Sequence, residues 1–544
     1  MTSNVRLPFD VQDAAVETRI DARDRTGRER AVDPRYNVAL EASAGTGKTR
    51  VLVDRYINLL RAGVDPSNIL AITFTRKAAT EMRERIMTTL HAAAGRGEIP
   101  NARWRELRDR TDEIGISTID AFCLSLLREF PLEADLDPGF DVADETEVPR
   151  LVDESLDRAL RTCRNLARED ENVALVFAQL GDCRARRGLA ALLTRRLVAP
   201  GVLKAYLETG PRDLDVSVAS RNAAEALLNV FTSMPGGLAR FLDSGPPEPP
   251  FLLLSRDLRR IRDAVEQDRP LDPSGVQAAW ARARDHFLTQ EGEPRKKLQF
   301  ARALFVRDAA WTMHRDLVLA HAPAIKQAGA RYKRDLNVLV SRGILRMYRV
   351  AETEYRRTLD AHAVLDFSDL LLRAIDLLRH MEEFSQSRYR LESRYHHVLV
   401  DEFQDTSRAQ WELVSLLVQS WGEGAGLASS GPLSPSIFIV GDRKQSIYAF
   451  RDADVSVLQD ASRYLEALRP GGDVRRSISR SFRSVPALLA FVNDVCHDMQ
   501  KADGRRDAFR YDEEDRFPLE GAGLETVSDA IGRASCRERV LFAV

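Results

Sequence analysis

Residues 41–50 read EASAGTGKTR, and the fold of the chain can be worked out from this stretch. Small residues followed by Lys48 and Thr49 let successive backbone N–H groups wrap a triphosphate. The lysine then reaches the β- and γ-phosphate oxygens and the threonine hydroxyl binds Mg²⁺. The apolar run at 37–41 is typical of a buried strand, and residues 51–60 have the apolar spacing of a helix. The sequence therefore predicts a strand, a phosphate-binding loop and a helix whose N-terminus faces the phosphates.

The loop departs from the G-x4-G-K-[ST] pattern at one position, where Ala42 replaces the first glycine. The residues predicted to surround the nucleotide are Ala44, Gly45, Thr46, Gly47, Lys48 and Thr49. The alternative is a chance glycine-rich turn. The flanking strand and helix, together with a carboxylate pair farther along the chain, argue against that alternative. A nucleoside triphosphate with Mg²⁺ is therefore the expected ligand.

Composition and charge narrow the class of protein. The 544 residues are 44% hydrophobic and 30% charged, with a formal net charge of −2. These values are typical of a soluble protein of several domains, in which a polyanion would be met by a local groove. No run of residues has the length of a membrane span, the N-terminus lacks a signal-peptide core, and the five cysteines are scattered. We therefore expect a cytoplasmic protein with no membrane partner and no structural metal.

Strand and helix patterns alternate along both ends of the chain. The apolar runs at 69–75 and 114–120 each pass directly into a helical pattern. Similar patterns return late in the chain, at 364–371, 397–406 and 437–442. This alternation predicts an α/β fold with a parallel sheet and helices on both faces.

Between about residues 145 and 361 the strand patterns stop and amphipathic helical patterns dominate. The clearest helical segments are residues 152–160, 222–231, 299–306 and 337–359. The simplest interpretation is a large all-helical insertion in an α/β domain. A new unit is expected to begin near Arg475.

Two acidic residues end the apolar run at 398–400. At a strand end beside the phosphate-binding loop, Asp401 can hold Mg²⁺ and Glu402 can orient and deprotonate an attacking water. Paired acids at a strand end are common by accident. The prediction is therefore specific only in combination with the loop at 41–50.

The next strand end, at residues 441–445, reads GDRKQ and offers Gln445 as a neutral group that senses the γ-phosphate. Tyr448, Phe450 and Arg451 follow directly. Aromatic faces stack on any base and an arginine adds a phosphate contact, which suits a path for single-stranded nucleic acid. Taken alone, the two aromatic residues fit ordinary core packing better. Their closeness to the predicted sensor favours the nucleic-acid interpretation.

Residues 479–484 read SRSFRS and supply two further candidates. Phe482 is a flat partner for a nucleobase. Arg483 is a candidate arginine finger, a cation that stabilises charge on the transferring phosphoryl group. A surface arginine at the start of a helix is the alternative for Arg483, and the residues alone do not decide between them.

Together these motifs resemble UvrD-like superfamily 1A DNA helicases, and most closely the RecB/AddA helicase-nuclease branch. The motifs that carry the resemblance are AGTGKT, TFTRKAATEM, STIDAF, DEFQDTS, GDRKQSIYAFR and SFRS, in that order. The resemblance covers about residues 38–144 and 364–493. It implies an ATP- and Mg²⁺-dependent helicase that moves 3′ to 5′ on single-stranded DNA, opens double-stranded DNA in double-strand break repair, and works together with another helicase-nuclease protein as its partner.

The resemblance also assigns residues. Lys48, Asp401, Glu402, Gln445 and Arg483 would be catalytic, with Thr49 and Asp401 on the metal. Arg50 and Phe482 would frame the adenine. The residues that would line the single strand are Phe74, Thr75, Thr118, Tyr448, Phe450 and Arg451.

The resemblance implies a RecA-like motor domain with a helical insertion and the start of a second RecA-like domain. The expected segments are 1–144 and 362–470 for the first motor domain, 145–361 for the insertion and 471–544 for the second motor domain. Two departures from the family are the absence of an adenine-reading glutamine at 24–31 and the serine at position 481, where the family has asparagine.

The later motifs of the second motor domain and a nuclease carboxylate cluster do not occur between residues 493 and 544. Residues 531–540 read IGRASCRERV and look like a translated sequencing adapter, so a truncated gene with an artefactual tail at 531–544 is expected. Two alternatives to the helicase-nuclease stay open. One is an ATP-dependent clamp or scaffold that binds DNA without moving on it, and the other is a stand-alone UvrD-like helicase without a nuclease.

Overall fold

The computed structural model describes residues 22–419, 421, 432–449, 452–468, 474–499, 511 and 516–518. The chain divides into two compact units, one formed by Met1–Val142 with Leu365–Val544 and the other by Ala143–Val364. The expected artefactual tail at 531–544 lies outside the described residues. Within the described part of the chain, no helix is both long enough and apolar enough to cross a membrane.

A six-stranded parallel sheet forms the centre of the first unit. Its strands are β1 (Val38–Ala42), β2 (Ile69–Thr73), β3 (Ile116–Thr118), β6 (His397–Val400), β7 (Ser436–Gly441) and β8 (Arg475–Ile478). The order across the sheet is β3-β2-β6-β7-β1-β8, and the paired neighbours run parallel. A separate two-stranded sheet contains β4 (Asp141–Val142) and β5 (Val364–Leu365). The predicted α/β fold with a parallel sheet is therefore confirmed.

Helices cover the sheet of the first unit. They are α1 (Ala22–Val32), α2 (Lys48–Arg61), α3 (Arg76–Gly95), α4 (Asn101–Asp109), α5 (Ile119–Glu129), α14 (Phe367–His380), α15 (Ser385–Arg394), α16 (Arg408–Gln419), α17 (Val457–Leu468) and α18 (Pro486–Asp498). The central strands β6 and β7 are buried along their whole length, as expected for strands with packing on both faces. Leu40, Phe438 and Val440 are completely buried in the core between the sheet and α2 and α3.

One predicted boundary is contradicted by the sheet. We expected a second domain to start at residue 471, but β8 pairs in parallel with β1, from Ala39 opposite Arg475 to Ala42 opposite Ile478. Beyond the strand ends, the backbone N–H of Ser43 donates to the carbonyl of Ile478 at 3.1 Å. An apolar run in a sequence predicts an extended segment but not its neighbour, so the sequence could not show that β8 completes the first sheet.

The second unit is helical. Its helices are α6 (Glu147–Leu166), α7 (Glu171–Thr194), α8 (Ala199–Glu208), α9 (Val216–Thr232), α10 (Gly237–Ser244), α11 (Pro249–Glu266), α12 (Pro273–Phe287) and α13 (Asp308–His362). The 55-residue α13 runs through two apolar cores, one with α6 and α7 and the other with α9 to α12.

The helix predicted at residues 299–306 is wrong. This segment contains only a short 3₁₀ turn, Arg302–Leu304. The carbonyl of Phe300 accepts a hydrogen bond from the indole N–H of Trp311 at 3.4 Å, so a side chain of α13 takes an acceptor that a helix would use. Phe305 is buried, but Leu304 is 39% exposed and Val306 is 89% exposed, so the helical spacing of apolar residues in this segment does not mark a packed helix face.

Candidate active site

The candidate residues of the nucleotide site lie at one edge of the sheet, where the parallel strands β1, β6, β7 and β8 end. The phosphate-binding loop follows β1, the acidic pair follows β6, Gln445 follows β7 and Phe482 follows β8. In parallel sheets, ligands bind at the carboxyl ends of the strands, so this edge is where a site is expected.

The loop between β1 and α2 has the backbone that a phosphate cradle needs. Gly45 and Gly47 have φ angles of +74° and +86°, a region that residues with a side chain rarely adopt. Thr46 is completely buried, and its hydroxyl donates to the carbonyl of Ser43 at 2.7 Å. Helix α2 then begins at Lys48, so its N-terminal N–H groups face the loop. Ala44 and Thr49 are half-buried in the same turn.

Lys48 contacts two of the other predicted catalytic residues. Its ammonium Nζ donates to Glu402 Oε2 at 3.1 Å and to Gln445 Oε1 at 3.3 Å. The lysine side chain is 10% exposed and that of Glu402 is 37% exposed, so the ion pair is open to solvent on the side of the carboxylate. The three residues come from three different strand ends and meet around one ammonium group.

Asp401 is a buried acid next to a second acid. It is 7% exposed, and burial, reinforced by the charge of Glu402, raises the pKa of Asp401 to about 6. The carboxylate accepts the backbone N–H of Glu402 at 3.0 Å. A raised pKa means that the nearby positive charge does not fully offset burial. Carboxylate and hydroxyl oxygens are ligands that Mg²⁺ prefers, so Asp401 and Thr49 fit the predicted metal site.

Two further residues organise the site and were missed by the sequence analysis. Gln404 donates from Nε2 to Glu402 Oε2 at 2.8 Å and accepts the N–H of Asp442 on Oε1 at 2.9 Å. Asp442 is 1% exposed and accepts from Gln445 Nε2 at 3.0 Å. Gln404 lies in the motif DEFQDTS and Asp442 in the motif GDRKQ. Their position as polar residues just after a strand is the sequence feature that could have identified them.

The segment after β8 lies against the phosphate-binding loop. The backbone N–H of Phe482 donates to the carbonyl of Gly45 at 2.9 Å. A Cβ on Gly45 would lie 2.5 Å from Ser481 Oγ and 2.7 Å from Arg483 Cβ, so only glycine allows this approach. Phe482 is 45% exposed and Arg483 is also exposed. Arg50 lies on the first turn of α2, where its guanidinium is 3.9 Å from Asp54.

The residues predicted to line a single strand lie directly after β2, at the end of β3 and in the segment after Gln445. The rings of Phe74 and Tyr448 pack with their centroids 4.6 Å apart. Thr75 and Thr118 cap the N-termini of α3 and α5, their hydroxyls accepting backbone N–H groups at 3.1 and 3.3 Å. These caps give both threonines a structural role at the same edge of the sheet. Phe450 and Arg451 lie outside the described residues.

Residues 25–466 match the model of the UvrD/REP helicase N-terminal domain. This match covers the two stretches that carry the P-loop, the acidic pair and Gln445, together with the helical unit between them.

Several curated proteins are similar to most of the chain, and each is named as one subunit of an ATP-dependent helicase/nuclease. The protein of Lactobacillus acidophilus is 25% identical over 88% of this chain and 40% of its own length. The protein of Pelotomaculum thermopropionicum is 29% identical, over 84% of this chain and 37% of its own length. The protein of Staphylococcus aureus is 26% identical over 88% of this chain and 39% of its own length. The chain thus spans about two fifths of the length of these relatives.

Proposed function

The chain belongs to the UvrD/REP helicase family, and from this premise we propose that it is the ATP-dependent motor part of a 3′–5′ DNA helicase of the helicase-nuclease type. The observation that carries the proposal is the meeting of Lys48, Glu402 and Gln445 around one ammonium group. A lysine, a candidate base and a neutral sensor at one strand edge are the parts that phosphoryl transfer from ATP requires.

The proposed roles follow from the contacts. Lys48 binds the β- and γ-phosphate oxygens, and these oxygens compete with Glu402 for its ammonium group. Binding of ATP then frees Glu402 to take a proton from the attacking water. Gln404 keeps hold of the Glu402 carboxylate at 2.8 Å and so fixes its position. When bound by Thr49 and Asp401, Mg²⁺ supplies positive charge that stabilises the phosphate oxygens.

Gln445 and Arg483 complete the proposed machinery. The Gln445 side-chain amide touches both Lys48 and Asp442, so loss of the γ-phosphate would change its hydrogen bonds. Arg483 acts as the arginine finger, supported by the close approach of its Cβ to Gly45. The nucleotide is held by the loop residues 44–49, and its adenine lies between Arg50 and Phe482.

Single-stranded DNA is the proposed track. The packed rings of Phe74 and Tyr448 support a stacking path that is independent of base sequence. Thr75 and Thr118 line this path beside them, and the resemblance to the family assigns Phe450 and Arg451 to the same DNA contact. The 3′–5′ polarity and the role in double-strand break repair rest on the resemblance to the family, and the cytoplasmic location rests on the scattered cysteines.

The domain organisation is also proposed. The helical unit Ala143–Val364 is an insertion in the first RecA-like motor domain, and α18 begins the second RecA-like domain. One face of α18 carries Leu488, Phe491 and Val495, and Met499 directly follows the helix. All four residues are at least one-third exposed. Such a stripe suits packing against further chain, and the relatives are more than twice as long. The word subunit in the relatives' name supports a partner protein.

The decisive experiment is the rate of ATP hydrolysis with and without single-stranded DNA. It is measured on the 544-residue chain and on the product of the complete gene. We expect strong stimulation by DNA in the complete protein and weak hydrolysis by the shorter chain. Glu402→Gln should lower the stimulated rate by about 10²–10⁴-fold, the range for loss of a general base, with ATP binding retained.

Glu466→Gln, an exposed carboxylate change on α17, is the matched control and should leave the rate unchanged. A complete protein that binds DNA and ATP but shows no DNA-stimulated hydrolysis would overturn the motor assignment and favour the clamp. Full activity in Glu402→Gln would remove this residue from the mechanism.

A further inference from the structure

Two charged residues of α1 lie beside the phosphate-binding loop and are not among the predicted site residues. Asp24 is 2% exposed. Its carboxylate accepts the backbone N–H of Ser479 at 3.1 Å and that of Arg480 at 3.2 Å. A buried carboxylate with two backbone donors fixes the main chain that it contacts. Asp24 therefore holds the segment that leads from β8 to Phe482.

Arg28 stands one helical turn after Asp24 and makes contacts in three directions. Its Nη2 donates to the carbonyl of Thr46 in the phosphate-binding loop at 2.7 Å. The same nitrogen is 3.7 Å from Asp24 Oδ2, so Arg28 and Asp24 form an ion pair. The guanidinium carbon lies 5.3 Å from the centroid of the Phe482 ring, a cation–π distance. One side chain thus connects the loop, the buried acid and the aromatic ring.

The position of the Phe482 ring depends on these contacts. The backbone N–H of Phe482 bonds to Gly45, which fixes the main chain but leaves the side-chain torsions free. The ring is 45% exposed, so packing alone does not hold it. A guanidinium against one part of the ring restricts its rotamers and leaves the exposed part for a ligand. A stacking surface that is ordered before binding avoids the loss of side-chain entropy on binding.

We propose that Asp24 and Arg28 are positioning residues that hold the Phe482 ring beside the phosphate-binding loop, so that the nucleobase meets a preset stacking surface. This inference rests on the proposed nucleotide site. It makes Arg28 a determinant of the affinity for a nucleoside triphosphate and not for the polyphosphate chain alone. Asp24 acts through Arg28 and through the backbone of residues 479 and 480.

The test compares two ligands that share the polyphosphate and differ in the nucleoside. ATP and inorganic tripolyphosphate, both with Mg²⁺, displace a fluorescent ATP analogue from the 544-residue chain. Arg28→Met removes the charge and the planar group but keeps the length of the side chain. Arg28→Lys keeps the charge and a donor for the Thr46 carbonyl. Arg25→Met changes an exposed arginine on the same helix and is the control.

We expect Arg28→Met to weaken ATP binding about tenfold, the scale of a lost aromatic stack on a base, while tripolyphosphate binding stays within about twofold. Arg28→Lys should weaken ATP binding less and leave tripolyphosphate binding unchanged. Parallel loss of both ligands in the two variants would show that Arg28 only shapes the loop, and unchanged ATP binding would also overturn the proposal. If the unmodified chain bound neither ligand, the nucleotide site itself would be refuted.

Discussion

At the scale of single residues, Asp401 is an acid whose charged form is unfavourable in the folded protein. Burial and the neighbouring Glu402 raise its folded-state pKa to about 6, above the ordinary value of 3.8. An acid with a raised pKa binds more protons in the folded state than in the unfolded state. Its contribution to stability is therefore complete below about pH 4 and is lost as the pH rises through about 6.

Asp401→Asn should consequently stabilise the protein at pH 7.5 in the absence of nucleotide. The expected gain in free energy of unfolding is on the order of 1–3 kcal/mol, and it should vanish near pH 4. Thermal unfolding at both pH values measures it. Asp33→Asn is the matched control, since a hydrogen bond from Arg35 lowers the pKa of Asp33, and its removal should slightly destabilise the protein at pH 7.5. A less stable Asp401→Asn at pH 7.5 would contradict this account.

The sequence identified the candidate catalytic residues. It did not identify the residues whose hydrogen bonds fix their positions. Lys48, Glu402 and Gln445 were identified because motif spacing places each at a strand end, and their roles stay predictions. The contacts of Gln404 and Asp442 depend on two neighbouring strands in one register. Asp24 and Arg28 act across more than 450 positions of sequence, since Asp24 bonds to Ser479. No local pattern contains such a contact.

At the scale of secondary structure, the packing of α7 against α13 depends on one glycine. A Cβ on Gly343 would lie 2.3 Å from the carbonyl oxygen of Asn172 and 2.7 Å from Val176 Cγ2. Gly343→Ala should therefore force the two helices apart and lower the free energy of unfolding by about 1–3 kcal/mol, as overpacked cores do. Thermal or urea unfolding of the helical unit measures the loss.

Gly188→Ala on α7 is the matched substitution at an open position. No atom lies within 4 Å of a Cβ placed on Gly188. Alanine is the better helix former there, so this variant should gain about 0.5–1 kcal/mol. Equal effects of the two substitutions would show that helix propensity alone decides, and that the close approach at Asn172 is not a constraint.

Secondary-structure elements were predictable where local pattern and burial agree. The strands at 69–73 and 397–400 are apolar except for Thr73 and His397, and they are buried along their whole length. Only residues 337–359 of the 55-residue α13 have a clear helical pattern in the sequence, because Pro323 and mixed polar faces interrupt the earlier pattern. The helix predicted at 299–306 is wrong because its apolar residues have helical spacing without forming one buried face: Phe305 is buried, whereas Leu304 and Val306 are exposed.

At the scale of the molecule, two buried histidines make the helical unit sensitive to acid. His286 Nε2 lies 3.0 Å from His314 Nε2, and both rings are at most 3% exposed. Burial lowers the pKa of His286 to about 3 and that of His314 to about 4. Because the folded-state values lie below the unfolded value of 6.5, their contribution to stability is complete above pH 6.5 and is lost as the pH falls.

We expect the helical unit to lose on the order of 2 kcal/mol per histidine between pH 7 and pH 5. Hydrogen exchange of α12 and the first turns of α13, corrected for the intrinsic pH dependence, measures this loss. His286→Gln keeps a neutral hydrogen-bonding group and should reduce the pH dependence by about half. Exchange that does not change between pH 7 and pH 5 in the unmodified protein would refute the histidine pair as the cause.

The strand order also determines when the protein can fold during its synthesis. Among the described strands, β1 pairs with β7 and β8, and β7 begins at Ser436, 394 residues after Ala42 ends β1. At about 5–20 residues per second, a ribosome needs roughly 20–80 s to make that interval. Throughout this time the apolar β1 has neither of its native partners, and unpaired strand edges are sites of aggregation. The nascent chain is therefore expected to depend on chaperones that bind β1 until β7 and β8 have been synthesised.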